Sequence, residues 1–501
     1  MSQPTVITPS TRAESSAYSE TSRHADVLDF IEGLRARADR RLWIGDFGSS
    51  PEGRLLPLLV LSAHGHFTPA QAHAAGLPVV LIIAGIHAGE VEGKEAVLML
   101  VRDLLDGRHG DVLSRVTVVV VPLFNPDGND RISPDNRKLD IAHFSGQLGP
   151  DSGVGTRVNA AGINLNRDYM RQQGAEMRLL QSRVCQPWNA HLTIDCHATN
   201  GSIHRFAMTF DTPHTVESGR REPIDYMREH LLPAVQAAVK QKDGFDSFWY
   251  GNFQRDEGGQ GSGWITYTHH PRFGGNYRGL CNRLDLLLEA YSYITFEERV
   301  QVTYGFLRES IAFVATHGDE IVRLLAQCAL PPERIAVRYR LEAFEDRRAR
   351  VLTREPYTLD GAPIEVEVPH IGRFIGTHVV TRPKAYAVPA AIGAHLIAHG
   401  LTTRPARSGE VVRAEVATIT AAVSEAGRGI LEAHDAPHLD AAYRREERVV
   451  PDGWMLVDTA QQRGAIAVYL CEASSDDGLL ACGLIEPMAA GAEFPVWRVL
   501  D

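Results

Sequence analysis

Two stretches of this chain, 77–84 and 116–121, are apolar without a break and rich in Val and Ile. Strands buried on both faces carry that pattern, because neither side of the sheet is left to water. Over 24–41 the apolar residues Val27, Leu28, Ile31 and Leu34 recur at the spacing of one helix face. Two further strand-like runs, 41–47 and 55–62, flank Ser49, Ser50, Pro51, Glu52 and Gly53, which punctuate a turn. Helices are predicted over 91–105, 175–189, 223–240 and 297–317, and strands over 192–196 and 284–293. Strands and helices alternate, so the expected fold is α/β: a mixed, mostly parallel sheet flanked by helices. Ligands of such sheets collect beyond the carboxyl ends of the strands. Residues 125–162 show no long period, and a loop of that length in a domain is usually functional or disordered.

From about residue 331 the texture changes. Short alternating segments recur at 335–341, 364–368 and 412–417, with one helical pattern near 390–399. The expected organisation is a disordered polar tail over 1–22, a main domain over 23–330 and a smaller β-rich accessory domain over 331–501. Charge removes one class of partner: at a net −11 the chain lacks the excess of Lys and Arg that replaces counterions on nucleic acid. The six cysteines are widely spaced without a CxxC pair, which reads as reduced, mostly buried thiols. The first twenty residues lack the apolar core of a secretory signal, and no run is long enough to span a bilayer. A cytoplasmic protein without a membrane partner is expected, although a secreted chain trimmed of its signal would read the same.

Candidate chemistry begins just past the first buried strand. His87 and Glu90 lie three positions apart in His87-Ala88-Gly89-Glu90, a spacing that aims both at one point from a helical turn or tight loop. Gly85 and Gly89 let the backbone bend closely around an ion. Taken alone, the pair fits a solvated helix start better than a metal site. His197 follows the strand 192–196, where a satisfied core histidine is the ordinary reading. Asp195 stands nearby to orient a ligand, although adjacent strand residues face opposite ways. Zinc takes nitrogen and oxygen ligands, and catalytic zinc keeps three protein ligands plus water. His87, Glu90 and His197 would complete that set if the fold brought them together.

The order of five motifs adds what no single one carries. His87-Ala88-Gly89-Glu90, Asn125-Pro126-Asp127-Gly128, the segment 162–169 (GINLNRDY), Asp195-Cys196-His197 and the segment 286–293 (LLLEAYSY) follow one another along the chain. This series resembles the M14 metallocarboxypeptidases over roughly 77–296, and says much less about 331–501. The resemblance implies that 23–330 is a zinc peptidase domain, with one Zn2+ per chain on His87, Glu90 and His197. It implies Glu289 as the general base, and Asn166 with Arg167 as the grip on a substrate's free carboxylate. Arg157 matches the arginine that polarises the scissile carbonyl; Arg137 is the other candidate, and with Arg131 would otherwise brace the long loop. Tyr250 is the candidate capping tyrosine, with Tyr267 and Tyr277 as alternatives, and the glycine-rich 258–264 would be a specificity loop. Simpler pairings remain for two of these residues, Glu289 with Arg283 and Arg167 with Asp168. One departure stands out: Asn164 occupies a position where many members have the Asp that accepts a hydrogen bond from a zinc-bound histidine.

The function implied is zinc-dependent hydrolysis of a C-terminal peptide bond. The alternative is an aspartoacylase-like zinc amidase acting on a small N-acyl amino acid, which shares HxxE, the Asn-Arg pair and the later histidine. The fuller motif set, NPDG included, favours the peptidase. A non-catalytic peptide-binding module is disfavoured because all three ligands and the base are present. The partner is then a peptide or small amide with a free carboxylate, and assembly into a homo-oligomer through 331–501 is left open.

Overall fold

The computed structural model describes residues 8–254, 263–423 and 438–501. Its first strands in chain order are β1 (Leu42–Ser49), β2 (Leu55–Leu61), β3 (Val79–Ala84), β4 (Thr117–Val121), β5 (Leu192–Thr199), β6 (Met208–Asp211) and β7 (Ser247–Trp249). Two short strands follow, β8 (Asn252–Phe253) and β9 (Trp264–Ile265), and then β10 (Leu284–Tyr291). All but β8 and β9 form one eight-stranded sheet in the order β1-β2-β4-β3-β5-β10-β6-β7. The central strands β4, β3, β5 and β10 run parallel, while β1–β2, β2–β4 and β10–β6 pair antiparallel and β7 runs parallel to β6. The α/β fold expected from the sequence is therefore present, and β6 and β7 are additions too short to show a period.

Uninterrupted apolarity in β3 has a direct cause. Val80, Ile82 and Ala84 enter a core that also holds Leu98 and Val101 of the helix Glu92–Leu105 and Phe306 of the helix Phe296–Gln327. The alternate residues Val79, Leu81 and Ile83 enter a second core on the opposite face. That second core includes Met177 and Leu180, and also Ala465 to Cys471 from the far end of the chain.

The later strands are β11 (Arg334–Glu355), β12 (Ala362–Thr381), β13 (Ala385–Pro389), β14 (Thr403–Pro405), β15 (Val411–Val423), β16 (His438–Val449), β17 (Trp454–Asp458) and β18 (Glu493–Val499). The hairpin β11–β12 extends β9 and β8 into a four-stranded sheet, and β13 to β18 form a six-stranded one. The C-terminal region is β-rich as expected, with two differences. Its strands are far longer than the short alternating segments suggested, and a second helix, Gly464–Cys471, joins the expected Ala390–Ala398. Every residue of Gly464–Cys471 is buried, so its sequence is apolar all round and shows no amphipathic stripe.

The expectation of a disordered tail over 1–22 is overturned for 8–22. Thr21 and Ser22 donate their hydroxyls to the buried Glu95 carboxylate at 2.9 and 2.8 Å, and the Ser22 N–H adds a third bond at 2.7 Å. Lys94 in turn donates to the Ser22 carbonyl at 2.6 Å. A buried carboxylate needs such donors, and this segment supplies them through hydrogen bonding that no apolar pattern announces. Residues 258–262 of the glycine-rich segment lie outside the described residues. All six cysteines are free thiols. No helix among the described residues is long and apolar enough to cross a membrane.

Candidate metal centre

His87 and Glu90 lie in the tight turn between β3 and the helix Glu92–Leu105, where the Glu90 N–H donates to the His87 carbonyl at 3.0 Å. The turn requires its two glycines. Gly85 has φ +72°, and a Cβ on Gly89 would stand 2.7 Å from the Arg137 side chain and 2.8 Å from the Gly155 carbonyl. His197 lies near the carboxyl end of β5, and its parallel neighbour across the ladder is Glu289 of β10. Sequence-distant residues thus meet at the carboxyl ends of three adjacent strands.

His87, Glu90 and His197 are all buried, with one donor atom from each lying within 4.8 Å of the others. His197 Nδ1 is 2.9 Å from Glu90 Oε2 and 3.3 Å from His87 Nδ1, and His87 Nδ1 is 3.2 Å from Glu90 Oε1. The far nitrogens are held from behind. Asn164 Oδ1 stands 3.0 Å from His87 Nε2, and Asp195 Oδ1 stands 3.2 Å from His197 Nε2. Asp195 and His197 are two apart on β5 and so share a face; only Cys196 between them points the other way. An oxygen close behind each Nε2 leaves each Nδ1 facing inward, the placement of a ligand atom. Two imidazoles and one carboxylate, so oriented, fit a zinc ion.

Electrostatics agree with that fit. Burial pushes the His197 pKa down, but the Asp195 and Glu90 carboxylates outweigh it and raise the value well above the usual range. Burial works against ionised Glu90 as well, yet His87, Arg137 and His197 hold it well below the usual carboxylate range. His87 is lowered to about 4, by burial and then by Arg157. The cluster therefore concentrates positive charge on one imidazole between two carboxylates, a position a metal cation can take over.

His87 and Glu90 open onto a cavity of about 360 Å³ that also exposes Glu289, Asn166, Arg167, Arg157 and Tyr250, with His197 packed behind them. Arg137 and Tyr267 line the same space. Burial raises the Glu289 pKa to about 8, with Glu90 adding and His197 and Arg157 opposing. Its alternative partner Arg283 instead donates to Asn189. Asn166 Oδ1 accepts the Gly274 N–H at 2.9 Å, and the Arg167 guanidinium lies 3.6 Å over the Phe273 ring. Asp168, the alternative partner for Arg167, accepts the Gln173 and Gly174 N–H groups. Tyr250 packs edge-on to Tyr267 at 5.6 Å, whereas Tyr277 is buried against His399 and outside the cavity lining.

Arg137 does more than brace the loop. It donates to Glu90 Oε1 at 3.0 Å, to Gln147 at 2.7 Å and to the Ala198 carbonyl at 3.2 Å. Arg157 reaches Glu90 Oε1 at 3.4 Å and His87 Nδ1 at 3.2 Å, and its side chain is 36% exposed against 15% for Arg137. Sequence reasoning missed Arg278 altogether. Fully surrounded, Arg278 donates to Asp195 Oδ2 at 2.9 Å, to the Tyr169 hydroxyl at 2.8 Å and to Asp285, which anchors the carboxylate behind His197. Nothing in the glycine-rich 273–280 marks one arginine as internal.

Residues 27–196 match the family model for zinc carboxypeptidase, peptidase M14; this span contains His87, Glu90, Asn166 and Arg167 and stops one residue before His197. A stretch of 141 residues is 33% identical to carboxypeptidase D of Mus musculus, covering 25% of this chain and 10% of that protein. A stretch of 114 residues is 33% identical to carboxypeptidase B of Astacus astacus, covering 22% of this chain and 35% of that protein. The chain thus spans only a small part of the length of the curated relatives it matches. Among solved structures, a metallo-carboxypeptidase from Burkholderia cenocepacia superposes with a TM-score of 0.41 at 20% identity, covering 59% of this chain and 69% of that one. Over residues 27–196, about a third of the chain, the sequence is thus similar to the M14 zinc carboxypeptidase family.

Proposed function

We propose that this protein is a zinc-dependent carboxypeptidase that hydrolyses the C-terminal amide bond of a peptide. The observation that carries the reading is the meeting of His87 Nδ1, His197 Nδ1 and the Glu90 carboxylate beside a cavity lined also by Glu289, Asn166 and Arg167. A zinc ion held by these three residues would supply Lewis acidity, polarising the scissile carbonyl and acidifying water.

The protein's own groups account for the rest. Arg167 and the Asn166 amide face the cavity as donors for the substrate's free carboxylate; guanidinium and carboxylate match as a fork. Stacking on Phe273 and the Gly274 bond hold both groups in place before substrate arrives. Arg157, the more exposed of the two site arginines, is the donor for charge developing on the carbonyl oxygen. Arg137, committed to Gln147, Ala198 and Glu90, positions the Glu90 ligand. Glu289, whose pKa burial raises to about 8, can in its ionised form take a proton from the attacking water and return it to the leaving amine. Burial raises the Tyr250 pKa, so its hydroxyl stays protonated as a donor at the cavity wall.

The test is hydrolysis of a panel of blocked dipeptides differing in the C-terminal residue, before and after chelation, with N-acyl amino acids alongside. Carboxypeptidase action predicts chelator-sensitive release of the C-terminal residue, lost when that carboxylate is amidated. Turnover of N-acyl amino acids alone would move the assignment to the aspartoacylase-like amidase.

A further inference from the structure

The segment 266–273 leaves β9 and leads into Phe273, Gly274 and Gly275 on the catalytic cavity wall. Along the way it meets residues 472–477, which follow the helix Gly464–Cys471 of the C-terminal region. Three side chains converge at that junction. His269 Nε2 lies 2.8 Å from Asp476 Oδ2, and the His270 ring stacks on the His269 ring with centroids 4.5 Å apart. One donor atom from each of His269, His270 and Asp476 lies within 4.8 Å of the others; the first and last are buried and His270 is half-buried.

This donor set repeats the chemistry of the first centre: two imidazoles and one carboxylate, with its closest donor pair again at hydrogen-bond distance. It repeats the support from behind as well. The Tyr469 hydroxyl donates to Asp476 Oδ1 at 2.7 Å, leaving Oδ2 to face the histidines. Thr268 Oγ1 lies 2.5 Å from His270 Nδ1, which engages that nitrogen and leaves Nε2 as the available ligand atom. Partners of this kind orient the groups that bind a metal directly. Aromatic rings pack against it, with Tyr339 and Phe374 4.7 and 5.5 Å from His269. Beside the cluster, Arg272 and Asp477 already join the two segments, the Arg272 N–H and Nε donating at 2.7 and 2.8 Å. The three donors are thus brought together by contacts that do not depend on an ion.

We propose that His269, His270 and Asp476 form a second metal site, for a divalent ion of the zinc, cobalt or nickel class, fastening the cavity segment to the C-terminal region. Imidazole-rich donor sets select these ions, and calcium or magnesium would need oxygen ligands throughout. The consequence reaches the cleft, because Phe273, at the end of the fastened segment, carries the Arg167 guanidinium.

The test counts metal in the full-length chain. In a His87→Ala/His197→Ala variant, which removes the first ligand set, elemental analysis after equilibration with Zn2+ and desalting should find one equivalent. Adding His270→Asn, at a half-buried position where folding is checked by circular dichroism, should remove it. Should the combined variants not fold, wild type against His270→Asn alone should read two equivalents against one. A folded double variant without metal, or a His270→Asn count equal to wild type, overturns the proposal and leaves a hydrogen-bonded His269–Asp476–Tyr469 chain in its place. Failure of the catalytic assignment reads differently: wild type would then hold a single equivalent that disappears with His270→Asn and survives His87→Ala/His197→Ala.

Discussion

Replacing Arg278 by Met tests how the buried charges behind His197 are balanced. Arg278 is the cation shared by Asp195 and Asp285, both at most 2% exposed, and its guanidinium also lies 5.2 Å over the Tyr169 ring. Methionine keeps much of the volume and removes the charge, leaving two carboxylates in a dry space. Breaking a buried ion pair on one side typically costs about 3–5 kcal/mol, because the remaining charge is uncompensated. Asp285 shows the strain already: burial raises its pKa to about 6 even with Arg278 opposing. In Arg278→Met that pKa should rise further, so Asp285 takes up a proton near neutrality and the cost becomes pH-dependent. The sign follows from linkage. A folded-state carboxyl pKa raised above the unfolded value destabilises the fold where the unfolded carboxyl is ionised, and the penalty fades as pH falls towards the unfolded value near 3.8. The deficit of Arg278→Met relative to wild type, read from urea unfolding midpoints by circular dichroism, should therefore shrink from pH 8 to pH 5. Adding Asp285→Asn should recover roughly 1–3 kcal/mol, the coupling expected of contacting charges. A deficit under about 1 kcal/mol at pH 7, or one that grows on acidification, would refute this account of the network.

Four further outcomes follow from the same geometry. Glu289→Gln should retain its metal equivalent and lose about 10²–10⁴-fold in kcat, the usual contribution of a general base; full turnover would remove Glu289 from that role. Asn164→Asp keeps the acceptor at His87 Nε2 and adds charge, so zinc affinity by chelator competition should rise on the order of tenfold; unchanged affinity would mean that the amide already does all the carboxylate could. Burial lowers the pKa of His191 and His204 to about 3 and of His370 to about 4, so these rings stay neutral in the fold while unfolded histidine protonates below 6.5. Stability should thus fall as pH drops from 6.5 towards 4, with His204→Phe flattening the slope by up to about 1.4 kcal/mol per pH unit; an unaltered slope would exclude His204. Deleting 331–501 would bare the second face of the large sheet, so the remainder should aggregate or melt without cooperativity; a soluble fragment with a sharp thermal transition would disprove the shared core.

What could be read from the sequence depended on how each residue's environment marks it. Unbroken apolar runs exposed β3 and β4, and the strand ends then gave the neighbourhood in which His87, Glu90 and His197 meet. Residues whose burial depends on a distant partner left no such mark. Arg278 is internal only because Asp195 and Asp285 face it across the fold, and Arg137 contacts Glu90 only because Gly89 leaves room. The two site arginines look alike in sequence, and exposure separates them. In the hairpin β11–β12 the pairing register shifts between Ala343 and Arg348, and residues 345–348 are exposed; the alternation breaks there and one long strand reads as short ones.

The boundary near 331 shows why a change in sequence texture need not be a change in core. Texture reports local pairing, and from β11 onward that pairing is antiparallel, except where β12 meets β9, and half-solvated. Burial is decided by which surfaces meet. Ala465 to Cys471 pack in the same core as Val79, Leu81 and Ile83, so the C-terminal region takes the place of an outer helical layer on one face of the large sheet. The same region reaches the cleft through Asp476 and Asp477, which hold His269 and Arg272 a few residues before Phe273. A substitution at that junction, such as Asp477→Ala, acts on the segment that ends at the support for Arg167. It touches none of His87, Glu90 and His197, so a role in substrate positioning would raise KM with the metal count at those residues unchanged. A purely structural role would lower the thermal midpoint and leave KM where it was.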